Sequence, residues 1–202
     1  MKTKTAFILL NGSEPLRLPD LSTYDIVCAI DGAYNYFEAN NILPDLVTGD
    51  FDSIYKIPTT IEVIKTPNQE FTDFEKALQI LKQRGYSEID VYGGSGKEHD
   101  HFLGNISIAL QWKLGLTISF YDDFGKYFFI DESIMITDVK GKNISLIPFP
   151  KASGIVTKGL LYPLNNETLT FGSRIGTRNK ACGENVLISY DNGDLLVYIS
   201  HN

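Results

Sequence analysis

The hydrophobic pattern of the chain changes near residue 122, and this change limits the folds that the chain can adopt. Up to that point, short runs rich in β-branched residues alternate with stretches whose apolar residues recur at helical spacing. The runs are residues 5–10, 25–30, 45–50, 61–66, 88–93 and 117–122. Several of them are apolar almost throughout, as in strands that are covered on both faces. Strand and helix in alternation predict an α/β domain with a mostly parallel sheet.

Helical patterns occupy residues 32–41, 72–85 and 100–115, between the predicted strands. The second places apolar residues on one face and ends at Gly85, and the third does the same and ends at Gly115. A glycine just after the last helical residue is a common helix terminator. These three helices are therefore predicted to flank the sheet.

From residue 126 onward the sequence predicts only strands. Short runs at 126–131, 133–138, 143–148, 167–172, 185–191 and 194–200 are separated by the turn-forming segments "VKGKN", "PFPKASG", "PLNN" and "DNGD". This spacing is typical of an all-β sandwich. We therefore expect an α/β domain over residues 1–122 and a smaller β-sandwich domain over residues 126–202.

Charge and composition exclude several classes of protein. The net charge is −7 and no run of Lys or Arg occurs, which argues against a nucleic-acid partner but not against a nucleotide bound with a divalent cation. The two cysteines, Cys28 and Cys182, belong to no CxxC pair, so a zinc site or disulfide framework is not expected. No segment has the ~20 apolar residues of a membrane span, and the first apolar run is too short for a signal peptide. We expect a soluble, cytoplasmic protein.

Acidic residues follow three of the predicted strands. Asp31 ends the second run, Asp50 and Asp52 end the third within "LVTGDFDSI", and Asp100 follows the glycine-rich end of the fifth. Ligands of doubly wound sheets bind outside the carboxyl ends of the strands. These residues, together with Asp73 at the start of a predicted helix, are therefore expected to converge. Because carboxylates at one edge repel each other, such a cluster predicts a bound cation.

Each of these residues also has a purely structural explanation. Asp31 precedes a glycine and can cap the next helix. Thr72 and Glu75 form a T-x-x-E capping box, which explains Thr72 and Asp73 without any ligand. His101, beside one of the aspartates, is more often a surface or core histidine than a catalyst.

The segment "YGGSGKEHDHFLGN" (92–105) imitates two nucleotide-binding motifs but fits neither. A P-loop would need a glycine at Val91, and the dinucleotide pattern would need one at His99. What remains is a glycine-rich turn at the N-terminus of a predicted helix. Its backbone N–H groups form a sound, though unspecific, phosphate cradle.

Five motifs occur in order along nearly the whole chain: "DGAYNYF", "PDLVTGDFDS", "TPNQEFTDFEKAL", "GGSGKEHDHFLGN" and "KGLLYPLNNETLTFGSRIGTRN". In these motifs the chain resembles the thiamine pyrophosphokinase (thiamine diphosphokinase) family. The G-D-x-D-S and T-D-x-x-K-x-L elements are specific when they occur together. The resemblance implies an α/β domain followed by a β sandwich, in agreement with the periodicity.

The resemblance implies that a pyrophosphoryl group passes from ATP to the hydroxyl of thiamine, giving thiamine diphosphate and AMP. Carboxylates would hold Mg²⁺, which bridges the phosphate oxygens and neutralises their charge. By similarity, Asp50, Asp52 and Asp73 are the metal ligands. Asp100 would orient or deprotonate the hydroxyl, or complete the metal shell. Asp31 is expected in the same catalytic site, without an assigned role.

The resemblance also implies contacts to both substrates and a homodimer, with thiamine held between the α/β domain of one subunit and the β domain of its partner. The residues expected at the nucleotide are Ser53, Gln69, Thr72, Lys76 and Lys97, and those expected at the acceptor are Asn105, Tyr162, Thr177 and Asn179.

The chain departs from the family pattern in two places. Lys97-Glu98-His99 stand where the family commonly has Gly-Gly-Arg, so Lys97 is expected to supply a point charge in place of the arginine fork. Gly176 and Arg178 stand where serines are usual, which leaves open a related pyrophosphokinase with another hydroxymethyl heterocycle as acceptor. A third, unrelated class is a sugar-nucleotide transferase with a metal-binding D-x-D, or a nucleotide-binding module without catalysis. This class is less favoured, because such a transferase explains neither "TDFEKAL" nor the small β domain.

Overall fold

The computed structural model describes residues 3–201 and contains two compact units, the first ending at Asp123 and the second beginning at Phe124. The outer bounds of the two predicted domains, residues 1 and 202, lie outside the described residues. The first unit is α/β and the second consists of antiparallel strands, so the predicted fold class is confirmed. No helix within residues 3–201 is long and apolar enough to cross a membrane.

The first unit is a parallel sheet of six strands with three α-helices, as the periodicity predicts. Its strands are β1 (Lys4–Leu9), β2 (Ile26–Ile30), β3 (Leu46–Gly49), β4 (Glu62–Lys65), β5 (Tyr86–Tyr92) and β6 (Thr117–Tyr121), and its helices are α1 (Ala33–Ala39), α2 (Asp73–Gln83) and α3 (His99–Trp112). A short 3₁₀ helix spans Leu21–Thr23. The strand order is β4-β3-β2-β1-β5-β6, with every neighbouring pair parallel.

The strand order determines where a ligand can enter this unit. The chain builds outward from β1 to β4 and then returns to the other side of β1 as β5. At such a switch point the loops that follow β1 and β5 diverge and leave a crevice at the carboxyl edge. All five residues of β2 are buried, as expected for a strand that is covered on both faces.

Helix α2 shows why the sequence folds locally as predicted. Phe74, Ala77, Leu78 and Leu81 lie on one face and are at most 3% exposed. Burying this apolar stripe against the sheet stabilises the helix far more than its intrinsic propensity does. Gly85 follows the end of the helix with φ 82°, the left-handed conformation that glycine adopts without strain.

The second unit is antiparallel throughout. Its strands are β7 (Gly125–Ile130), β8 (Ser133–Ile136), β9 (Asn143–Lys158), β10 (Asn165–Thr170), β11 (Gly176–Lys180), β12 (Val186–Ser189) and β13 (Asn192–Ser200). They pair in the order β7-β13-β9-β12-β8, and β10 and β11 also pair with β9. The core of the unit includes the fully buried Ile144, Ile155 and Leu195.

Two expectations for the second unit are wrong. The segment "PFPKASG" is not a turn, because β9 continues through it to Lys158 and changes partners on the way. β11 pairs with residues 143–146 of β9 and β13 pairs with residues 144–153, while β10 pairs with residues 151–156 and β12 pairs with residues 156–158. Gly154 in this segment has φ 71°, a left-handed conformation that glycine adopts without strain. Residues 176–180, for which no strand was expected, form β11.

Candidate functional site

A cavity of about 600 Å³ lies in the first unit, among the residues that follow β1, β2, β3 and β5 and those that begin α2 and α3. Every site residue that was predicted in the α/β part of the chain lines it. These residues are Asp31, Asp50, Asp52, Ser53, Gln69, Thr72, Asp73, Lys76, Lys97, Asp100 and Asn105. The convergence that was expected from strand ends alone is therefore present.

Three carboxylates form a tight group inside this cavity. One oxygen from each of Asp31, Asp50 and Asp52 lies within 4.8 Å of the others. Asp31 is only 9% exposed, and its Oδ1 is buried without a hydrogen-bond partner in the described part of the chain. Like charges at this separation repel, and a buried carboxylate oxygen needs a partner. Carboxylate oxygens are also the ligands that Mg²⁺ prefers, so the group fits a divalent cation.

Backbone geometry brings Asp31 and the end of β3 together. A Cβ added to Gly49 would lie 2.9 Å from the Asp31 Cβ, so this approach requires glycine. Asp31 itself has φ 48°, and Phe51, between the other two aspartates, has φ 70°. Left-handed conformations are strained in non-glycine residues, above all in bulky ones, and such residues cluster at functional sites.

Asp31 does not cap the following helix. Helix α1 has Gly32 at its N-cap, and no side chain accepts a hydrogen bond there. The structural explanation that the sequence left open for Asp31 is therefore wrong. Its side chain lines the cavity instead.

Asp50 and Asp52 each accept a hydrogen bond from another side chain that lines the cavity. Gln69 Nε2 donates to Asp50 Oδ2 at 3.0 Å, and this hydrogen bond lowers the pKa of Asp50. Ser53 Oγ donates to Asp52 Oδ1 at 2.8 Å. The hydrogen bond from Gln69 therefore favours Asp50 in the charged form that a metal ion requires.

Asp73 begins α2 and faces the same cavity. The Thr72 side chain caps the helix by accepting from Glu75 N at 3.2 Å. The reciprocal half of the predicted capping box, in which Glu75 would accept from the Thr72 backbone N, does not form among the described residues. The buried Glu75 carboxylate accepts instead from Gln111 Nε2 and Trp112 Nε1 on α3. Burial raises the pKa of Asp73, although Lys76 Nζ lies 2.5 Å from its Oδ1 and opposes the shift.

The glycine-rich loop after β5 is fastened from two directions. Gly12 N, in the loop after β1, donates to Gly93 O at 2.9 Å, and Asn105 Nδ2 on α3 donates to Gly94 O at 3.0 Å. At the start of α3, Asp100 is exposed, and its Oδ1 accepts from His101 N at 2.9 Å. The loop and the helix N-terminus thus form one wall of the cavity.

Sequence reasoning missed Asn11. It lines the cavity, and its Oδ1 accepts from Lys97 Nζ at 3.2 Å. The signal was available, because an Asn-Gly pair follows the buried strand β1 at the same edge as the aspartates.

Tyr162, Thr177 and Asn179 lie in the second unit and do not line this cavity. The Asn179 side chain holds the backbone of Tyr162 from both sides, since Nδ2 donates to Tyr162 O at 2.6 Å and Oδ1 accepts from Tyr162 N at 3.0 Å. The Tyr162 side chain is mostly exposed. Thr177 is exposed on β11, and Arg178 beside it has φ 55° and donates from its backbone N to Ser145 Oγ.

Comparison with known proteins gives matches along the chain. The family model described as thiamin pyrophosphokinase, catalytic domain, matches residues 20–120, and the one described as thiamin pyrophosphokinase, vitamin B1 binding domain, matches residues 132–195. Thiamine pyrophosphokinase of Bacillus subtilis (strain 168) is 29% identical over 211 residues, covering 96% of this chain and 97% of the relative. Thiamine pyrophosphokinase 1 of Oryza sativa subsp. japonica is 28% identical over 176 residues, covering 78% and 66%.

Solved structures give the same picture. The crystal structure of thiamine pyrophosphokinase from Bacillus subtilis superposes with a TM-score of 0.85 at 26% identity and covers 98% of this chain and 99% of that one. Yeast thiamin pyrophosphokinase, at 16% identity, shares the fold with a TM-score of 0.79 and covers 99% and 87%.

Proposed function

The chain belongs to the thiamin pyrophosphokinase family, and on that premise we propose how its residues serve the reaction. The chain is an ATP-dependent pyrophosphotransferase that passes a pyrophosphoryl group from ATP to the hydroxyl of thiamine, giving thiamine diphosphate and AMP. The observation that supports this assignment best is the convergence of Asp31, Asp50 and Asp52 at the sheet edge where nucleotides bind.

We propose that Asp50, Asp52 and Asp73 hold Mg²⁺ and that Asp31 belongs to the same site. The buried, unpartnered oxygen of Asp31 and the close approach of three carboxylates support a cation there. When bound, Mg²⁺ would neutralise the polyphosphate and polarise the phosphoryl group under attack. Gln69 keeps Asp50 ionised and correctly oriented for that purpose.

The nucleotide phosphates are proposed to lie along the glycine-rich loop and the start of α3. Backbone N–H groups and the positive end of the helix dipole favour anions at such a place. Ser53, Gln69, Thr72 and Lys97 all line the cavity. The exposed Lys97 ammonium supplies the positive charge that the missing arginine would give.

Asp100 is proposed to orient the thiamine hydroxyl and accept its proton as the oxygen attacks the β-phosphorus. Its carboxylate is exposed at the cavity. In-line attack forms the new O–P bond as the bond to the α-phosphate oxygen breaks, and AMP departs. The chain's own contribution is therefore positioning and charge, with one proton transferred to a carboxylate.

We propose that residues 1–122 bind ATP and Mg²⁺ and that residues 126–202 bind thiamine. Asn105 on α3 and Tyr162, Thr177 and Asn179 in the second unit are the proposed acceptor contacts. The exposed Tyr162 ring offers an aromatic face to the cationic thiazolium. A homodimer in which these residues meet the partner's α/β domain is part of the proposal, and the cytoplasmic location stays a prediction.

The experiment is to incubate the purified protein with Mg-ATP and thiamine and to identify both products. AMP and thiamine diphosphate in equal amounts are expected. ADP as the nucleotide product, or no turnover with thiamine, would contradict the proposal. Omitting the metal with a chelator should abolish turnover, which tests the magnesium requirement separately.

A further inference from the structure

We propose that Lys76 is a positioning residue of the metal site and does not bind the ATP phosphates. This inference rests on the proposed function of the cavity, because it concerns how that site is built. It replaces the phosphate contact that the family resemblance predicts for the same lysine.

The Lys76 ammonium contacts three protein oxygens. Its Nζ lies 2.7 Å from Thr66 O, 3.0 Å from Asn68 O and 2.5 Å from Asp73 Oδ1. Two of these contacts are hydrogen bonds to backbone carbonyls, which use two of the three N–H donors of the ammonium, and the third is an ion pair with the buried Asp73 carboxylate oxygen. The residue is also only 7% exposed. A phosphate that bound Lys76 would compete with these oxygens for the ammonium, and an oxygen that lost its contact would be left unpaired in a buried place, which is unfavourable.

Lys97 shows what an available cation looks like in the same cavity. It is exposed, and its Nζ donates to Asn11 Oδ1 at 3.2 Å. Further donors of this ammonium can reach a ligand without breaking a buried contact. The two lysines that line the cavity therefore have different roles: Lys97 is suited to the polyphosphate, and Lys76 is suited to the protein.

The three contacts of Lys76 connect Asp73, at the start of α2, with the segment that supports Asp50, at the end of β3. Thr66, whose carbonyl Lys76 holds, donates from its backbone N to Gly49 O at 2.8 Å, at the end of β3. Gln69, one residue beyond the Asn68 carbonyl, donates to Asp50. Lys76 thus ties Asp73 on α2 to the segment that fixes the β3 end and Asp50. A variant without this ammonium loses the contacts that join residues 66–69 to Asp73.

The decisive test separates a phosphate contact from a metal-site role by measuring nucleotide affinity with and without metal. The variant is Lys76→Met, and the matched control is Lys82→Met, which removes an exposed lysine near the other end of the same helix. Binding of α,β-methylene-ATP, which the enzyme cannot cleave at the reacting bond, is measured by calorimetry in Mg²⁺ and in EDTA. Amide hydrogen exchange over residues 66–72 is measured without ligand, and kcat is measured with thiamine.

A positioning role predicts that binding in EDTA changes less than about 3-fold in Lys76→Met, while most of the gain in affinity from Mg²⁺ is lost. Hydrogen exchange over residues 66–72 should rise by at least about 10-fold. Turnover should fall about 100-fold, as expected when reacting groups move by about 1 Å. Lys82→Met should match the wild type in all four measurements.

A phosphate contact predicts the opposite pattern, and that pattern would overturn the proposal: weaker binding in EDTA by about 10-fold or more, with unchanged hydrogen exchange. Normal turnover per folded molecule would also overturn it, because Lys76 would then serve stability alone. If Lys76→Met does not fold, Lys76→Gln keeps two donors and is judged by the same measurements. The binding and exchange results remain readable even if thiamine proves not to be the acceptor, so failure of this inference is distinguishable from failure of the proposed function.

Discussion

Replacing Asp31 by Asn should stabilise the metal-free protein and at the same time remove much of its response to Mg²⁺. Asp31 is nearly buried and lies in a group of three carboxylates. In the absence of a cation, its charge is repelled by Asp50 and Asp52. Asn has nearly the same shape and tolerates the left-handed backbone that Asp31 adopts at φ 48°, so the substitution removes the charge with little steric change.

The size of the effect follows from the separation of the carboxylates. One oxygen of each carboxylate lies within 4.8 Å of the others. Two unit charges at that distance would repel by about 3.5 kcal/mol at an effective dielectric constant of about 20, and by about 0.9 kcal/mol in bulk water. Because Asp52 is exposed, its repulsion lies near the lower value. Asp31→Asn should therefore raise the free energy of unfolding in EDTA by about 1–3 kcal/mol. In the wild type, Mg²⁺ at 100 times its dissociation constant should add about 2.7 kcal/mol, and most of this should vanish in the variant.

Urea unfolding in EDTA and in Mg²⁺ measures both effects on the same protein. Glu88→Gln is the matched control, because Glu88 is an exposed carboxylate on β5 and does not line the cavity. Like Asp31→Asn, this control removes one negative charge. It should change neither the free energy of unfolding in EDTA nor the stabilisation by Mg²⁺ by more than about 0.5 kcal/mol. A metal-free Asp31→Asn protein that is less stable than the wild type, or one with an unchanged Mg²⁺ response, would refute the reasoning.

Three further predictions concern other parts of the molecule. Asp50→Asn and Asp73→Asn should each lower turnover at least ~100-fold, the usual effect of losing transition-state charge stabilisation; near-normal kinetics in either variant would remove that residue from the metal shell. Asn179→Ala should raise the KM for thiamine about 5-fold with little change in kcat. The reason is that the Tyr162 backbone loses both hydrogen bonds to the Asn179 amide, so the Tyr162 ring is no longer held in place to contact a cation. An unchanged KM would contradict this role of Asn179. Burial raises the pKa of Tyr92 to about 12, so stability should be lost as the pH rises from about 10 through 12. Because the ring is only half buried, solvent screening should limit the loss at pH 12 to about 1 kcal/mol. Tyr92→Phe should lose less stability over this range in urea unfolding, and an equal loss would count against the shift.

The sequence predicts the fold well where the pattern is local. In the first unit, each of the six parallel strands and three helices shows its own spacing of apolar residues, so each can be recognised from a few neighbouring residues. The "PFPKASG" segment in β9 fails for the opposite reason. Its proline and glycine signals are real, but the strand partners that keep β9 extended lie elsewhere in the sequence, on β10, β12 and β13.

The cavity residues were predictable for a similar reason, while several of their contacts were not. A carboxylate at a strand end can be placed at the sheet edge from topology alone. Whether a lysine in that cavity is available to a ligand depends on hydrogen bonds to backbone carbonyl groups such as Thr66 O and Asn68 O. These carbonyl groups carry no side-chain signal in the sequence. The same holds for Asn179, whose amide is used by the backbone of Tyr162, 17 residues away.

Two of the three non-glycine residues with a left-handed backbone in the described part of the first unit, Asp31 and Phe51, lie where its carboxylates gather, and one physical demand explains both the strain and the grouping. Carboxylates at strand ends would normally spread apart into solvent to reduce repulsion. Here Asp31 and Phe51 adopt left-handed conformations, and Gly49 allows the close approach, so the chain holds the three aspartates together. Neither the strain nor the repulsion stabilises the metal-free fold, and each costs it free energy. An arrangement that is unfavourable without a cation and favourable with one is what a metal site requires. The surrounding parallel sheet supplies the stability that offsets the strain and the repulsion.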